Sequence, residues 1–348
     1  MTETRRSGKT AGIRDVAARA GVSQTTVSHV LNATPHTRVN EETAARVRAA
    51  AEELGYRPNR LARGLRTQAS EMIGLLTEEI ATTPHAGRII LGAQEEASRH
   101  NLTLAIINSE LNPEPEVPPV QVQAFLDRQV DGIIYATVYH DEIVVPENLS
   151  ARPAVLIGAR DSTGILPAVL PDERAGAVAV VEMLAARGHR RIAFAASAED
   201  VPATRGRLRG YLDAMASAGL STAGLVVDGS SDARGGYSAA NALLHAAPTA
   251  LFCYNDRMAM GAYRAAGERG LSIPGDLSVV GFDDQAPIPE SLFPPLTTVA
   301  LPHYEMGAWA VNALYAVIDG SDGRAASLPP TLLPCPLVER ESVAAPRA

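Results

Sequence analysis

The chain has 348 residues, of which 46% are hydrophobic and 20% are charged, and its net charge at pH 7 is −8. This length is sufficient for two or three folding units with a sizeable core. Cys253 and Cys335 lie far apart without metal-ligand spacing, which excludes the common zinc motifs. The charged N-terminal stretch lacks the apolar segment of a secretory signal, and no apolar run approaches a membrane span. We therefore expect a cytoplasmic, soluble protein with no cofactor and no membrane partner.

Residues 11–32 predict two short helices joined by a tight turn. The first helix has apolar residues at the spacing of a single helical face: Ile13, Val16, Ala17 and Ala20. Gly21 follows directly, where a helix end favours a residue that can adopt positive φ. Ser23 is placed to cap the second helix by accepting from the backbone N–H of Thr26. This pattern is typical of a helix-turn-helix.

The second helix is expected to bury Val27, Val30 and Leu31. Its opposite face carries polar groups that can bond to base edges in a DNA major groove: Gln24, Thr25, Ser28 and His29. An ordinary helical hairpin with a solvated polar face would show the same pattern.

A third helix is predicted over 41–54, with Asn40 as its cap and Gly55 as its stop. The following stretch, 59–65, is too short to form a stable helix in water and contains Gly64. Residues 1–68 hold twelve Arg and Lys against six Asp and Glu, so this part is basic and the remainder is strongly acidic. A basic segment on an acidic body is typical of a module that contacts DNA phosphates.

From residue 69 onward, short apolar runs alternate with helical patterns. The predicted strands are 72–76, 103–108, 132–137, 154–158, 191–196, 250–255 and 278–284. The predicted helices include 87–100, 120–129, 173–187, 207–218, 235–246 and 256–269. This alternation indicates an α/β fold with parallel, doubly wound sheets, and two such sets in series indicate two similar lobes with a cleft between them.

The runs IRDVAARAGVSQTTVSHVLN, VNEETAARVRAAAEELGYRPNRLARGLRTQ and NDRMAMGAYRAAGERGLSIPGDLSVVGFDD resemble the lactose/galactose-repressor (LacI/GalR) family of bacterial transcription regulators. The recognition helix is most similar to that of purine-responsive members. The resemblance implies a helix-turn-helix headpiece and a two-lobed core similar to periplasmic binding proteins. The expected boundaries are 1–57 for the headpiece, 58–68 for a hinge helix and linker, and 69–348 for the core. Within the core, we expect lobe 1 over about 70–170 and 300–325, and lobe 2 over about 171–298 and 326–348.

The resemblance also implies which residues meet operator DNA. The expected DNA-binding residues are Ser23, Gln24, Thr25, Thr26, Ser28, His29, Asn32, Asn59, Ala62 and Leu65. By position, Leu65 would insert into the minor groove from a hinge helix that folds on DNA, with Ala62 beside it. An inserted apolar wedge costs a few kcal/mol of base unstacking, which is offset when the bent DNA meets more protein. A linker leucine packed on the core is the alternative for Leu65.

Polar residues that follow the predicted strands suggest an effector site, because ligands of such folds bind at the carboxyl ends of strands. The expected effector-binding residues are His85, Tyr135, Thr137, Arg205, Arg207, Asn255 and Asp283. Thr82, Thr83, Tyr139, Asp256 and Asp284 lie in the same stretches. Alternatives stay open: an interlobe salt bridge between Arg207 and Asp283, a core position for Tyr135, a surface or hinge position for His85, and helix capping by Asp256.

Departures from the family pattern limit the effector. His85-Ala86 stands in place of the aromatic pair of purine-binding members, and Leu301 and Gly158 replace polar groups found in other members. We therefore expect a dimeric repressor that binds a palindromic operator and responds to a small polar effector, most readily a sugar. An activator or a corepressor-dependent regulator is the alternative. A solute-binding protein or a carbohydrate enzyme is disfavoured, since the chain has a headpiece and no nucleophile elbow, P-loop or HExxH pattern.

Overall fold

The computed structural model describes residues 11–31, 38–56, 69–80, 83, 87–110, 114–320 and 329–347. The chain divides into two compact units, Met1–Ser70 and Glu71–Ala348. Asn32 and the expected hinge segment, including Asn59, Ala62 and Leu65, lie outside the described residues.

The first unit contains three helices: α1 (Ile13–Ala20), α2 (Gln24–Leu31) and α3 (Glu41–Glu53). Gly21 ends α1 with a φ of 67°, as its position predicts. The Ser23 hydroxyl accepts from the Thr26 N–H at 3.1 Å, and the Asn40 side chain accepts from the Thr43 N–H at 2.8 Å. The predicted caps of α2 and α3 are therefore confirmed.

The three helices share a small apolar core. Val16, Val27 and Val47, one from each helix, are completely buried, and alanines from α1 and α3 fill the space around them. Small side chains let short helices approach closely, so three short elements can bury a common core. Arg19 and Glu53 add a surface ion pair at 2.8 Å between α1 and α3, which contributes little to stability.

The second unit alternates strands and helices. Its strands are β1 (Met72–Glu78), β2 (Thr103–Ser109), β3 (Gly132–Ala136), β4 (Glu142–Ile143), β5 (Ala154–Ile157), β6 (Arg160–Asp161), β7 (Ala168–Pro171), β8 (Ile192–Ser197), β9 (Val226–Gly229), β10 (Ala250–Cys253), β11 (Ser278–Val280), β12 (Thr298–Val299), β13 (Thr331–Leu333) and β14 (Leu337–Val338). Its α-helices are α4 (Gly87–Arg99), α5 (Pro119–Leu126), α6 (Glu173–Ala186), α7 (Pro202–Ser217), α8 (Ala233–Leu244), α9 (Asp256–Glu268), α10 (Ile288–Ser291) and α11 (His303–Ile318). A 3₁₀ turn covers Glu147–Ala151. None of the helices in the described ranges is long and apolar enough to cross a membrane.

Two parallel sheets define two lobes. The first sheet has the order β13-β7-β5-β3-β1-β2, and the second has the order β11-β10-β8-β9. The chain crosses between the lobes after β7, again between β12 and α11, and a third time between β13 and β14, which pairs antiparallel with β12. These crossings place the carboxyl ends of strands from both sheets next to one cleft.

The strands that the sequence predicts are present, with ends shifted by a few residues. The structure adds β7, β9 and β13 and the helix α11, which packs on α4 in the first lobe. The sequence-based assignment of 331–333 to lobe 2 is wrong. β13 pairs with β7 and so belongs to the first sheet, in lobe 1. The physical reason is that β7 offers a free parallel edge, which this short apolar segment completes.

The contact between α4 and α11 depends on glycine. A Cβ on Gly92 would collide with the carbonyl group of Tyr304, and a Cβ on Gly307 would collide with the carbonyl oxygen of Ile89. The two backbones therefore touch directly, which fixes α11 against the first lobe at the point where the chain has just crossed from the second.

Candidate functional site

The first candidate site is the outer face of α2. Ser23, Gln24 and Thr25 are exposed, whereas Thr26, Ser28 and His29 are partly buried. The hydroxyls of Ser23 and Thr26 lie 2.9 Å apart, so these two side chains are engaged in capping the helix. With Val27 facing the core, α2 presents the polar surface that the sequence predicts for base contacts.

The second candidate site is a cavity of about 660 Å³ between the two lobes. The first lobe contributes Thr83, Val138, Tyr139, Asp141 and Gly158 to its wall. The second lobe contributes Glu173, Arg207, Tyr254, Asn255 and Asp283 among others. Its volume lies within the range of small-molecule sites, and apolar walls with a few convergent polar groups are typical of such sites.

Arg207 is the centre of the polar groups in this cavity. It is 2% exposed, and its Nε and Nη2 atoms donate to the two carboxylate oxygens of Glu173 at 2.7 and 3.2 Å. Nη1 donates to the carbonyl oxygen of Tyr254 at 2.6 Å, and Nη2 lies 2.9 Å from Oδ1 of Asp283. Three carboxylate oxygens and one carbonyl oxygen thus fix the guanidinium plane.

Aromatic rings complete this arrangement. The Arg207 guanidinium carbon lies 3.8 Å from the ring centre of Phe282 and 4.6 Å from that of Tyr254. Stacking of a cation on aromatic faces is favourable and strengthens when water is excluded. Arg207, Glu173 and Asp283 all belong to the second lobe, so the ion pair is not the interlobe bridge that the sequence left open.

Burial and neighbouring charges shift the pKa values of Arg207 and Glu173. Burial acts to lower the pKa of Arg207, but the carboxylates of Glu173 and Asp283 outweigh it and raise that pKa above its ordinary value. Burial raises the pKa of Glu173, and the attraction of Arg207 opposes this only in part. One cation facing two carboxylates leaves a surplus of hydrogen-bond acceptors, which suits a ligand rich in hydroxyl donors.

Asn255, and not Asp256, caps the helix α9. The Asn255 side chain caps α9 by accepting from the Met258 N–H at 2.8 Å, and its amide donates to the Ser231 carbonyl oxygen at 3.1 Å. The interpretation of Asp256 as that cap is wrong. Asn255 nevertheless lines the cavity, where its amide can still meet a ligand.

Asp256 is instead completely buried and does not line the cavity. Its carboxylate accepts from the Thr298 hydroxyl at 2.6 Å and from the Gln285 N–H at 2.7 Å. Burial and the nearby negative charge of Asp283 raise the pKa of Asp256 to about 8. The side chain therefore links α9 to the segment that crosses between the lobes.

The backbone at Asp283 and Asp284 is unusual. Both residues have positive φ, 103° and 49°, which is strained for residues with a side chain. The strand predicted over 278–284 ends earlier, at Val280. The Asp283 N–H donates to the Val299 carbonyl oxygen at 2.8 Å, and the Asp284 carboxylate pairs with Arg340 at 2.8 Å. Strained backbone held by surrounding bonds is a frequent property of ligand sites.

The structure brings together only part of the predicted effector set. Arg207, Asn255 and Asp283 line the cavity. Tyr135 is 1% exposed and packs in the core of the first lobe, and Thr137 is buried where its hydroxyl donates to Glu78 at 2.9 Å. Neither is part of the cavity wall. His85 lies outside the described residues.

Arg205 lies at the edge of the cleft rather than in its wall. Its guanidinium pairs with Asp200 and with Asp141, and the second of these bonds joins the second lobe to the first. Arg205 and Arg207 are two positions apart on α7, so they point to different sides of the helix. One of them can face the cavity, and the other is free to bridge the lobes.

Two residues that line the cavity, Glu173 and Arg257, were not predicted from the sequence. Glu173 begins α6 just after β7, at the carboxyl end of a strand that the analysis did not identify. The run AVLPDE (168–173) contains the pattern that could have identified it: a short apolar stretch followed by two acidic residues. Arg257 follows the Asn255-Asp256 pair that the analysis did single out.

Comparisons with known proteins agree with this architecture. Residues 12–59 match the family described as bacterial regulatory proteins, lacI family, and residues 181–343 match a periplasmic binding protein-like domain. The HTH-type transcriptional regulator RegA of Clostridium saccharobutylicum is 35% identical over 336 residues, which cover 95% of this chain and 98% of RegA.

Solved structures show the same likeness. The Lac repressor dimer bound to operator and the anti-inducer ONPF matches 97% of this chain and 100% of that chain, with a TM-score of 0.78 and 28% identity. A LacI family regulator from Enterococcus faecium with bound ribose matches 79% of this chain and 100% of that chain, with a TM-score of 0.64 and 26% identity.

A helix-turn-helix unit followed by a two-lobed core with a cleft defines the class of DNA-binding regulators that respond to small molecules. This chain belongs to the LacI family of bacterial transcription regulators. Its recognised family and its α/β fold with an N-terminal helix-turn-helix are those that the sequence predicts, and the members of this family are regulators rather than enzymes.

Proposed function

We propose that this regulator is a repressor that binds a palindromic operator as a homodimer and changes its affinity for DNA when a small polar effector enters the cleft. We propose a sugar or a sugar derivative as that effector, and action in the cytoplasm at the nucleoid. One headpiece offers few base contacts, so two copies related by a two-fold axis suit a palindromic site.

The arrangement around Arg207 is the observation that carries the effector proposal. A buried guanidinium fixed by Glu173 and Asp283, with the Asn255 amide in the same wall, offers donors and acceptors at fixed positions. Vicinal hydroxyl groups can both donate and accept, and they match such an array. Apolar side chains such as Val138 and Leu301 in the same cavity suit the carbon-bound faces of a sugar ring.

In this proposal, the two lobes couple effector binding to DNA binding. Cavity residues come from both lobes, so a ligand that touches both favours their closed arrangement by its differential affinity. The ion pair between Arg205 and Asp141 already joins the two sides. The Asp283 backbone is bonded to Val299 on a crossing segment, so a ligand that moves Asp283 also acts on that connection.

On the DNA side, we propose that α2 enters the major groove with Gln24 and Thr25 toward the bases. We also propose that Leu65 acts as the minor-groove wedge that the family resemblance implies, with Asn59 and Ala62 beside it. Leu65→Ala should then weaken operator binding while leaving effector binding unchanged, and equal operator affinity in both proteins would contradict the wedge.

A thermal-shift screen of the full chain tests the effector class. The screen would compare neutral sugars, sugar phosphates, nucleosides and purines, with Arg207→Lys as the variant that keeps the charge but loses the two-pronged geometry. A ligand at about 100 times its Kd adds roughly 2.7 kcal/mol of stability, which is a shift of several degrees. A sugar that stabilises the parent protein but not the variant supports the proposal. Stabilisation by purines alone would contradict it.

A further inference from the structure

The arginines that line the cavity differ in how their charge is balanced. Arg207 faces the two carboxylates of Glu173 and Asp283. The exposed side chain of Arg174 pairs with Asp213 at 2.7 Å. The Arg257 side chain forms no ion pair or hydrogen bond with the described residues, and its Nε atom is buried without a partner.

No carboxylate of the cavity wall forms an ion pair with Arg257 among the described residues. Asp141 pairs with Arg205 across the cleft. The Asp172 carboxylate caps α6 by accepting from the Ala175 N–H at 2.9 Å, and Glu199 accepts from the Ser231 hydroxyl at 2.6 Å. Each of these carboxylates therefore has a bonding partner of its own within the protein.

The position of Arg257 in its helix makes its positive charge more unfavourable still. It is the second residue of α9, which begins at Asp256 and runs to Glu268. The positive end of the helix dipole lies in this first turn, where acidic groups are favoured and a cation is disfavoured. A buried donor without an acceptor costs roughly 1–3 kcal/mol. An anion in the cavity would relieve both costs at once, since helix N-termini and guanidinium groups each favour negative charge.

We propose that the effector of this regulator is a polyhydroxylated molecule that carries one anionic group, a carboxylate or a phosphate, and that Arg257 holds this group. The inference rests on the proposed effector function of the cleft and makes it more specific. The Arg207 cluster and Asn255 receive the hydroxyl groups, and Arg257 discriminates the charged ligand from its neutral parent sugar.

The test uses the full chain, Arg257→Gln, Arg257→Lys and the matched control Arg264→Gln. Arg264 lies on the same helix, but its side chain is 71% exposed and pairs with Glu268 at 2.9 Å, so its loss changes the same charge away from the cavity. Calorimetric titration would compare each neutral sugar with its acid and its phosphate: glucose with gluconate and glucose 6-phosphate, and galactose with galacturonate and galactose 6-phosphate. Inorganic phosphate at constant ionic strength serves as a probe that is independent of the sugar.

The parent protein and Arg264→Gln should bind one anionic compound at least about tenfold more tightly than its neutral parent, as expected for a charge-assisted hydrogen bond. Arg257→Gln should lose that preference, Arg257→Lys should keep part of it, and phosphate should raise the Tm of the parent but not of Arg257→Gln. The preferred member of each set distinguishes a carboxylate from a phosphate.

Any of three results would overturn the inference. Equal binding of an anionic compound by the parent and Arg257→Gln, or preference for the neutral sugar in both, would remove Arg257 from recognition while leaving the proposed sugar function intact. If no sugar of any kind bound the parent, the proposed function itself would fail, and the phosphate probe would then report on Arg257 alone. Equal stabilisation of both proteins by phosphate would show that the anion binds elsewhere.

Discussion

Nη2 of Arg207 lies 2.9 Å from Oδ1 of Asp283, and the same aspartate donates its backbone N–H to Val299 on a segment that crosses between the lobes. One residue therefore contacts both the centre of the cavity and the connection between its two walls. The positive φ of Asp283, 103°, shows that the chain holds this geometry at a cost in backbone strain.

Replacement of Arg207 should abolish the response to effector and leave DNA binding intact. Arg207→Lys keeps a positive charge between Glu173 and Asp283 but cannot bond to both with a rigid fork. We expect the effector-induced thermal shift to disappear, whereas binding to operator without effector persists. Arg207→Ala should in addition destabilise the fold by about 3–5 kcal/mol, because two buried carboxylates lose their cation. A normal effector response in Arg207→Lys would show that the arginine is purely structural.

Asp256 should make stability depend on pH. Burial and Asp283 raise its pKa from 3.8 to about 8, so the folded chain holds this proton more tightly than the unfolded chain does. The resulting stabilisation is fully present below about pH 4 and is lost as the pH rises to about 8. Asp256→Asn cannot lose a proton, so its stability relative to the parent should increase from pH 5.5 to pH 8.

Urea unfolding of both proteins at these two pH values measures the effect. The informative quantity is how the difference between the two free energies of unfolding changes with pH. Any poorer fit of the amide to the hydrogen bonds with Thr298 and Gln285 has the same cost at both pH values and cancels. A difference that does not vary with pH would contradict the raised pKa of Asp256.

Gln24 should contribute to operator affinity. Its side chain is exposed at the start of α2, and a well-placed contact to a base is worth about 1–3 kcal/mol. Gln24→Ala should therefore weaken binding to an operator selected from a random palindromic library by roughly 5- to 150-fold. Gln94→Ala, which removes the same exposed side chain from α4 in the second unit, should leave the Kd unchanged. Equal affinity of both variants would exclude Gln24 from base contacts.

The contact between α4 and α11 predicts opposite effects of two glycine substitutions. A Cβ on Gly307 would collide with the carbonyl oxygen of Ile89, whereas a Cβ on Gly267 in α9 meets nothing within 4 Å. Gly307→Ala should lower the free energy of unfolding by about 1–3 kcal/mol through overpacking. Gly267→Ala should raise it by about 0.4–1 kcal/mol by restricting the unfolded chain. Similar unfolding curves for the two variants would contradict this packing.

The sequence predicts the central strands well and the short edge strands poorly. Apolar runs such as 72–76 are buried on both faces in a parallel sheet and are recognisable without tertiary information. β7 and β13 have four and three residues, too few for a pattern, and they exist because they complete an edge of the first sheet. Glu173 was missed for the same reason, since its position depends on β7.

The sequence does not determine in which direction each side chain points, and this limited the prediction of which residues line the cavity. In a strand buried on both faces, composition does not tell which face a residue takes, so Tyr135 could not be assigned to the core from the sequence. The sequence predicts a helix that begins only at 207, so that Arg205 would precede it and could reach a ligand together with Arg207. The helix instead begins at Pro202, and a helical backbone separates the directions of the two side chains.

The most direct test of the whole account is the affinity of the full chain for a selected operator, measured with and without a saturating amount of the compound that raises its Tm. If the cleft controls the headpiece, the operator Kd should change by about 5- to 150-fold, the usual range of coupling between two sites. Arg207→Lys should show no such change. An operator Kd that is identical with and without the bound compound would contradict the account, because it would show that the cleft and the DNA-binding surface are not coupled.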